Sequence, residues 1–386
     1  MEQSKSKPTG IIIGGGIGGL TTALALQQKG INVRVFEQAP TIEAVGAGIW
    51  MAPNAMKIFE KLGVAKLISE SGQALYDIQV RTTKGKLLSR IDGEKIKQKH
   101  GFVTIATKRS AVHEILMNAI ENGTISTNKK CINYTEKAGG VEVEFSDGTS
   151  ESADFVIFAD GLHSLGRKRL STSDSLRYSG QTSWRFLVDF ALPNPREMLE
   201  IWAPQSGLRV GYSMINAKEV YVYITVATEE GGKDELASVK ENLIQLCQVF
   251  GEPIYALINT VEPEKIIRSD ISDFAPIKTW FKGNVLLLGD AAHATTPNLG
   301  QGACQAIEDA WCLANLFSTD KTIEQIFEAF QKKRMKKTQY ITNTSCRLGK
   351  MVNTSGLSRK IIEFMLANSP DSYLEKQLDL VYSVEL

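Results

Sequence analysis
The chain has 386 residues, with 44 Lys and Arg against 43 Asp and Glu, 43% hydrophobic and 23% charged residues. That length suits two or three domain-sized cores, or one large α/β body with a smaller partner, and a net charge of +1 removes the electrostatic case for binding nucleic acid or an acidic membrane. Five cysteines without a CxxC or CxxxC pair, and only four histidines, argue against a disulfide framework, a zinc site or a His-rich metal centre. The cysteines read as reduced, buried small side chains of a cytoplasmic protein.

Residues 10–28 carry no charge and follow Lys5 and Lys7, so they could pass for a signal peptide or a membrane span. Six glycines, Gly10, Gly14, Gly15, Gly16, Gly18 and Gly19, oppose a single apolar helix. The run divides instead into a strand at 11–13, a glycine turn, a helix over about 17–29 stopped by Gly30, and a strand at 32–37. No other stretch is long and apolar enough to span a bilayer. Next, a helix begins near Pro53, a hairpin joins 76–81 to 87–91 through Lys84-Gly85, and 109–120 reads as helix. Asp147-Gly148 predicts a second hairpin, between 141–145 and the strand entering 154–158. Strands are expected at 183–190, 200–203, 209–214 and 220–227, followed by a helix near 234–250. A buried strand at 285–288 and a helix over about 301–316 restore the α/β pattern. Residues 323–386 read as helices, and their basic stretch at 332–337 is expected to be a solvated face. The order predicts an α/β nucleotide domain, Rossmann-like, built from 8–73, 103–175 and 276–345. Into it is inserted a mostly antiparallel β-sheet domain, 74–102 and 176–275, and a C-terminal helical region, 346–386, follows.

Three motifs carry the chemistry. Gly14-Gly15-Gly16-Ile17-Gly18-Gly19 fits GxGxxG between a strand and a helix, with Glu37 closing the next strand. Its glycines suit a tight turn, close approach of backbone to a pyrophosphate, and close helix packing. The helix start adds free N–H groups and partial positive charge for phosphate, and Glu37 can accept from a ribose hydroxyl. The second motif is a buried strand ending in Asp160-Gly161, which places a carboxylate where open α/β sheets bind ligands. Alone it would read as a capped turn. The third, Leu288-Gly289-Asp290 through Thr295-Thr296-Pro297-Asn298-Leu299-Gly300-Gln301-Gly302-Ala303, joins a strand, an acidic turn and a helix start. Asp290 suits a ribityl or ribose hydroxyl, and the N–H groups at 301–303 suit negative charge developing on a ring. His293 reads as a structural hydrogen-bonding residue.

Together these segments resemble the class A flavoprotein monooxygenases, the single-component FAD-dependent aromatic hydroxylases, over about residues 8–345. The resemblance implies that Gly14, Gly16, Ile17 and Gly19 hold the FAD pyrophosphate, that Glu37 and its neighbour Gln38 meet the adenosine end, and that Arg109 of Arg109-Ser110-Ala111-Val112 binds FAD. It links Asp160 to FAD and NAD(P)H handling, Asp290 to the ribityl chain, and the Gly300, Gln301, Gly302 and Ala303 helix start to the flavin ring. The stretches Gly46-Ala47-Gly48-Ile49 and Ala52-Pro53-Asn54-Ala55 also resemble the family, Gly48 among the cofactor contacts, while Trp50 replaces a residue more commonly a small aliphatic. The implied activity uses NAD(P)H and O2 to hydroxylate a small aromatic or N-heteroaromatic substrate through a flavin C4a-hydroperoxide, in a monomer or homodimer. An FAD-dependent epoxidase, an antibiotic-modifying monooxygenase or a non-catalytic flavin-binding protein would share the cofactor motifs.

Ring activation is narrowed by elimination. No histidine lies between His163 and His293, so the inserted domain offers Arg185, Arg209, Tyr212, Tyr221 and Tyr223 instead. Period-2 alternation sets Tyr221 and Tyr223 on one face, with Val220, Val222 and Ile224 opposite. Arg209, in an apolar strand, is expected to face a wet cavity or pair with a carboxylate. The spacing of Arg209, Tyr221 and Thr295-Thr296-Pro297 is similar to FAD-dependent urate hydroxylases, which the resemblance implies use such an arginine and tyrosine, and an acid after the proline, on the purine. Here Asn298 stands in place of that acid. Arg209, Tyr221, Pro297 and Asn298 are therefore the candidate catalytic residues.

Overall fold
The structure, a computed structural model, describes residues 7–42, 47–171 and 175–386; Gly46 lies outside them. Its first core is a six-stranded sheet in the order Phe281–Lys282, Val285–Leu287, Phe155–Phe158, Thr9–Ile13, Asn32–Phe36, Ile125–Ser126. All pairings are parallel except that of the two outermost strands at one edge. The central strands are apolar along nearly their whole length, which suits a sheet covered on both faces. Ile17–Gln28 is buried over most of its circumference and packs against Gly302–Leu316. At their crossing a Cβ on Gly18 would stand 3.0 Å from Ala306 Cβ.

The second core is a seven-stranded sheet in the order Ile267–Asp273, Arg177–Asp189, Glu219–Ala227, Arg209–Met214, Glu197–Trp202, Asp77–Thr82, Leu87–Asp92. It is antiparallel apart from the pair Glu197–Trp202 and Asp77–Thr82. One face carries Trp184, Phe186, Val210, Tyr212, Val220, Val222 and Ile224 under the helices Val239–Leu246 and Ile254–Thr260. The other carries Arg185, Glu200, Arg209, Tyr221 and Tyr223, so the expected alternation of tyrosines and valines is present. Two three-stranded sheets flank these cores: Gly48–Met51, Thr104–Lys108, Gly72–Leu75, and Ser150–Ala153, Gly140–Phe145, Cys131–Lys137. Among the described residues no helix is long and apolar enough to cross a membrane.

Several expectations need correction. The hairpin at Asp147-Gly148 joins Gly140–Phe145 to Ser150–Ala153; Phe155–Phe158 belongs to the six-stranded sheet. The break falls at Asp154, whose Oδ2 accepts from the Thr9 amide at 2.6 Å and the Thr9 hydroxyl at 2.8 Å. The helix near 234–250 is shorter, Val239–Leu246, and a second one follows at Ile254–Thr260. Only Cys247 and Cys304 are buried; Cys131, Cys312 and Cys346 are half-buried.

The basic stretch is not a solvated face throughout. Helical spacing within Ile323–Val352 turns Arg334, Thr338 and Ile341 inward. There the Arg334 guanidinium meets Glu308 Oε2 and Asp309 Oδ1, each at 2.6 Å, and Lys337 Nζ meets Glu308 Oε1 at 2.8 Å. Buried carboxylates on Gly302–Leu316 draw these cations in, because an unpaired buried charge is costly.

Candidate active site
The glycine turn lies at the carboxyl ends of the parallel strands, Gly14 following Thr9–Ile13 and Glu37 following Asn32–Phe36. Gly14 has φ +111°, and a Cβ there would lie 2.4 Å from the Ala159 carbonyl oxygen; one on Gly19 would lie 2.0 Å from the Gly14 carbonyl oxygen. These two positions need glycine. At Gly16 a Cβ would meet nothing within 4 Å, so the turn presents bare backbone to open space ahead of Ile17, the first residue of its helix. Glu37 is braced across this turn: Oε2 accepts from the Gly15 amide at 2.7 Å and Oε1 from the Ala39 amide at 2.9 Å. Gln38 beside it is exposed.

Arg109 begins the helix Arg109–Ala119 and keeps an exposed surface, although enough protein surrounds the guanidinium to shift its ionisation. Burial lowers its pKa; Asp290 opposes that shift, Arg185 adds to it and Tyr221 opposes it. Asp160 lies deeper. Its Oδ2 accepts from the Leu165 amide at 2.8 Å, while Oδ1 is buried without a partner among the described residues. Burial raises its pKa against the hydrogen bonds of Ser164 and Leu165.

Asp290 starts the short helix Asp290–His293, exposed and with a carboxylate that makes no hydrogen bond among the described residues. Its loop is fixed from behind: Asp309 Oδ2 accepts from the Gly289 amide at 3.1 Å and sits 2.6 Å from His293 Nε2. His293 is thus a structural hydrogen-bonding residue. Gly300 has φ +61°, which turns the chain into the helix beginning at Gly302. The amide oxygen of Gln301 accepts from Asn54 and Gln305, both at 3.0 Å. The Gly302 and Ala303 amides open a 15-residue helix with no side-chain cap among the described residues.

An open backbone cradle, an orphaned buried carboxylate oxygen, an exposed Asp290 and a free helix start form the donor and acceptor set that a flavin dinucleotide requires. The residues fit FAD.

Opposite Gly300 stands the polar face of the seven-stranded sheet. Trp50 bridges the two: Gly300 lies within 3.8 Å of its ring for a Cβ, its Nε1 donates to Ser213 Oγ at 3.3 Å, and its ring meets Tyr221 and Tyr223 edge-on at 6.2 and 5.9 Å. Gly48 is bare because Tyr221 lies against it, with Cγ 2.3 Å from any Cβ. The Tyr221 hydroxyl has no hydrogen bond among the described residues, and burial raises its pKa against the nearby Arg185 and Arg109.

Arg209 is buried, at 5% exposure, and does pair with a carboxylate. Nε donates to Thr225 Oγ1 at 3.1 Å, Nη1 reaches Glu200 Oε2 at 3.4 Å, and Nη2 donates to Asn298 Oδ1. Asn298 follows Pro297 in a 3₁₀ turn. Its amide nitrogen donates to Thr296 Oγ1 and to the Ser345 carbonyl, both at 3.0 Å. A carboxylate at 298 would set an anion against that carbonyl, so the amide suits the site. Arg185 differs from Arg209: one Nη donates to Ser269 Oγ at 3.1 Å, and among the described residues Nε is buried without a partner and no carboxylate pairs with the guanidinium.

The structure therefore joins Arg209 to Asn298, next to Pro297, and sets Tyr221 against Gly48 and Trp50, while Arg109 is near enough to feel the charges of Asp290 and Tyr221. Sequence reasoning missed Glu200, which it read only as the start of a strand. Its signal was a lone acid at the same parity as Met198 and Trp202, where alternation pointed inward.

Comparison with known proteins agrees with this geometry. Residues 8–343 match the FAD binding domain family. The chain is 34% identical over 348 residues to aurachin C monooxygenase/isomerase of Stigmatella aurantiaca, covering 90% of each. It is 30% identical over 346 residues to 2-heptyl-3-hydroxy-4(1H)-quinolone synthase of Pseudomonas aeruginosa, covering 89% of each. The crystal structure of Klebsiella pneumoniae HpxO complexed with FAD and uric acid superposes with a TM-score of 0.89 at 26% identity, covering 97% of both chains. This chain belongs to the FAD binding domain family and, within it, to the class A flavoprotein monooxygenases that act on aromatic and heteroaromatic rings.

Proposed function
We propose that this protein is an NAD(P)H-dependent, cytoplasmic FAD monooxygenase that adds one oxygen atom to a flat N-heteroaromatic ring carrying an oxo or hydroxy group. The observation that carries the reading is the side-chain cluster between Gly300 and the sheet, where the Trp50, Tyr221 and Tyr223 rings stand together and the Arg209–Asn298 pair supplies a polar end on the same face. Aromatic walls suit a planar ring, and the polar end suits a ring oxygen or nitrogen. Relatives named for quinolone, aurachin and uric acid chemistry support the same substrate class.

Bound FAD would supply the oxidising chemistry, taking electrons from NAD(P)H and passing one atom of O2 to the substrate and the other to water. The backbone at Gly14, Gly16, Ile17 and Gly19 would hold the pyrophosphate, Glu37 and Gln38 the adenosine end, and Asp290 the ribityl hydroxyls, with Arg109 and Asp160 closing the cleft. The amides of Gly302 and Ala303 would stabilise negative charge on the flavin ring. Tyr221 and the sheet would exclude water, and Arg209 with Asn298 would orient the substrate's polar edge, as a monomer or homodimer.

The test uses purified holoprotein with 2-heptyl-4(1H)-quinolone, uric acid and 3-hydroxybenzoate, following NAD(P)H oxidation, O2 uptake and product mass. The expected result is stimulated oxidation, with a product heavier by one oxygen, for a heterocycle rather than for the benzoate. Colourless protein that cannot be reconstituted with FAD, or no stimulation by any compound, would refute the reading.

A further inference from the structure
We propose that Glu200, acting through the Tyr223 hydroxyl, is the proton acceptor that ionises the ring substrate, after which the substrate's oxyanion replaces Glu200 as the counter-ion of Arg209. The inference rests on the monooxygenase reading and adds the group that activates the ring.

Glu200 is 7% exposed and every contact it makes is with a donor. Oε1 accepts from Trp202 Nε1 and lies 3.5 Å from Arg209 Nη1; Oε2 accepts from Tyr223 and lies 3.4 Å from the same nitrogen. The link to Tyr223 is built into the sheet register. Glu200 pairs with Gly211, and Gly211 pairs with Tyr223 on the next strand. A Cβ on Gly211 would lie 2.1 Å from Tyr223 Cζ and 2.3 Å from its hydroxyl oxygen. The missing side chain is what lets the ring lie across the middle strand and reach the carboxylate. Its other edge faces Trp50 and Tyr221, so Tyr223 spans from the pocket wall to a buried acid.

Arg209 is held firmly at Thr225 and Asn298 but loosely at Glu200, where both oxygens stand beyond 3.3 Å. That leaves the guanidinium positioned to meet a second anion. The charged and titratable groups around Glu200 are Arg209 and Tyr223 on neighbouring strands and Arg359, which stacks 4.5 Å over Trp202 from the C-terminal helices. Tyr221 and Arg185 lie further along the face.

The step balances without an oxidant. The substrate O–H breaks and its proton bonds to Tyr223 Oη, while the proton already on Tyr223 passes to Glu200 Oε2. Glu200 becomes neutral and the substrate anionic, so Arg209 exchanges one counter-ion for another and no net charge enters the buried pocket. The reverse transfer resets the site. Tyr223 is the catalytic residue here; Glu200 acts through it.

Two readouts on the holoenzyme test this, with Glu200→Gln and Tyr223→Phe. In the first, 4-nitrophenol, whose anion is yellow, is bound at a pH below its own ionisation, and the difference spectrum is recorded. The anion band is expected in wild type and lost in both variants; its absence in wild type, or its survival in either variant, overturns the proposal without reference to turnover. In the second, the pH profile is measured with the compound that stimulates NAD(P)H oxidation. Both variants should keep FAD and lose about 100-fold in hydroxylation near neutral pH, within the usual range for general-base catalysis. They should recover about tenfold per pH unit as hydroxide replaces the missing acceptor. A loss that is the same at every pH marks a packing defect and overturns the proposal. Failure of every compound to stimulate oxidation sinks the monooxygenase reading instead, and leaves the spectral result to decide on Glu200.

Discussion

The two faces of the seven-stranded sheet are made by the same strands and do opposite work. On one, Phe186, Val210, Val222 and Ile224 are fully buried under two helices. On the other, one step along each strand, stand Arg185, Glu200, Arg209 and Tyr223. A period of two lets a strand be scaffold and site at once, and the apolar face carries the cost of burying charge on its reverse. Substitutions should therefore separate cleanly: stability lost on one side, binding and charge on the other.

The largest effect is expected from Phe186→Ala, which should cost ~3–5 kcal/mol of stability for an emptied core position. Denaturant titration of the holoprotein measures it, and the substrate requirement of the remaining folded enzyme should not move. If Phe186→Ala chiefly altered substrate use, the two faces would not be independent.

Asp290→Ala lies across the cleft and on neither face. Losing a charge-assisted hydrogen bond of ~1.5–3 kcal/mol should weaken FAD retention roughly 10–100-fold, more than any single substitution on the sheet. Flavin fluorescence during dilution reads this directly, and equal retention would remove Asp290 from the ribityl site.

Arg209→Met should leave FAD content normal and raise the substrate concentration needed for stimulated NAD(P)H oxidation by about tenfold, the worth of one hydrogen bond to a charged group. Arg209→Lys should not rescue it, because an ammonium lacks the planar fork that meets Thr225, Glu200 and Asn298 together. Wild-type substrate use in Arg209→Met would make the residue a purely structural partner of Glu200 and direct attention to Arg185.

The smallest effect separates the tyrosines. Burial, then the charge of Glu197, pushes the Tyr212 hydroxyl on the apolar face up to about 12. A raised folded pKa means that its contribution to stability is complete below the unfolded value near 10 and is lost as pH climbs through about 12. Tyr212→Phe should make the alkaline fall in stability shallower over that window. An unchanged alkaline limb would show that Tyr212 ionises freely.

What the sequence made legible follows the range of the interactions. The strand-turn-helix around Gly14–Gly19 is local, and each glycine's task could be named from neighbours a few residues away. The alternation of Tyr221 and Tyr223 against Val220 and Val222 was equally local. The boundary at Asp154 was not, because it is set by hydrogen bonds to Thr9, far away in the chain. Glu200 was only half legible for the same reason: its inward parity with Met198 and Trp202 is local, but its partners depend on a register that aligns it with Gly211 and Tyr223 on two other strands. Arg334 and Lys337 read as surface charges until Glu308 and Asp309 were placed beneath them.

The pairing of Asp77–Thr82 with Glu197–Trp202 has a consequence for biosynthesis. A hairpin made early by the ribosome offers one unpaired edge until the strand beyond residue 197 emerges, and Thr9–Ile13 likewise waits for Phe155–Phe158 and Val285–Leu287. Neither sheet can close during the first half of translation. The nascent chain thus carries open strand edges for most of its synthesis, the condition in which chains mispair and chaperones engage.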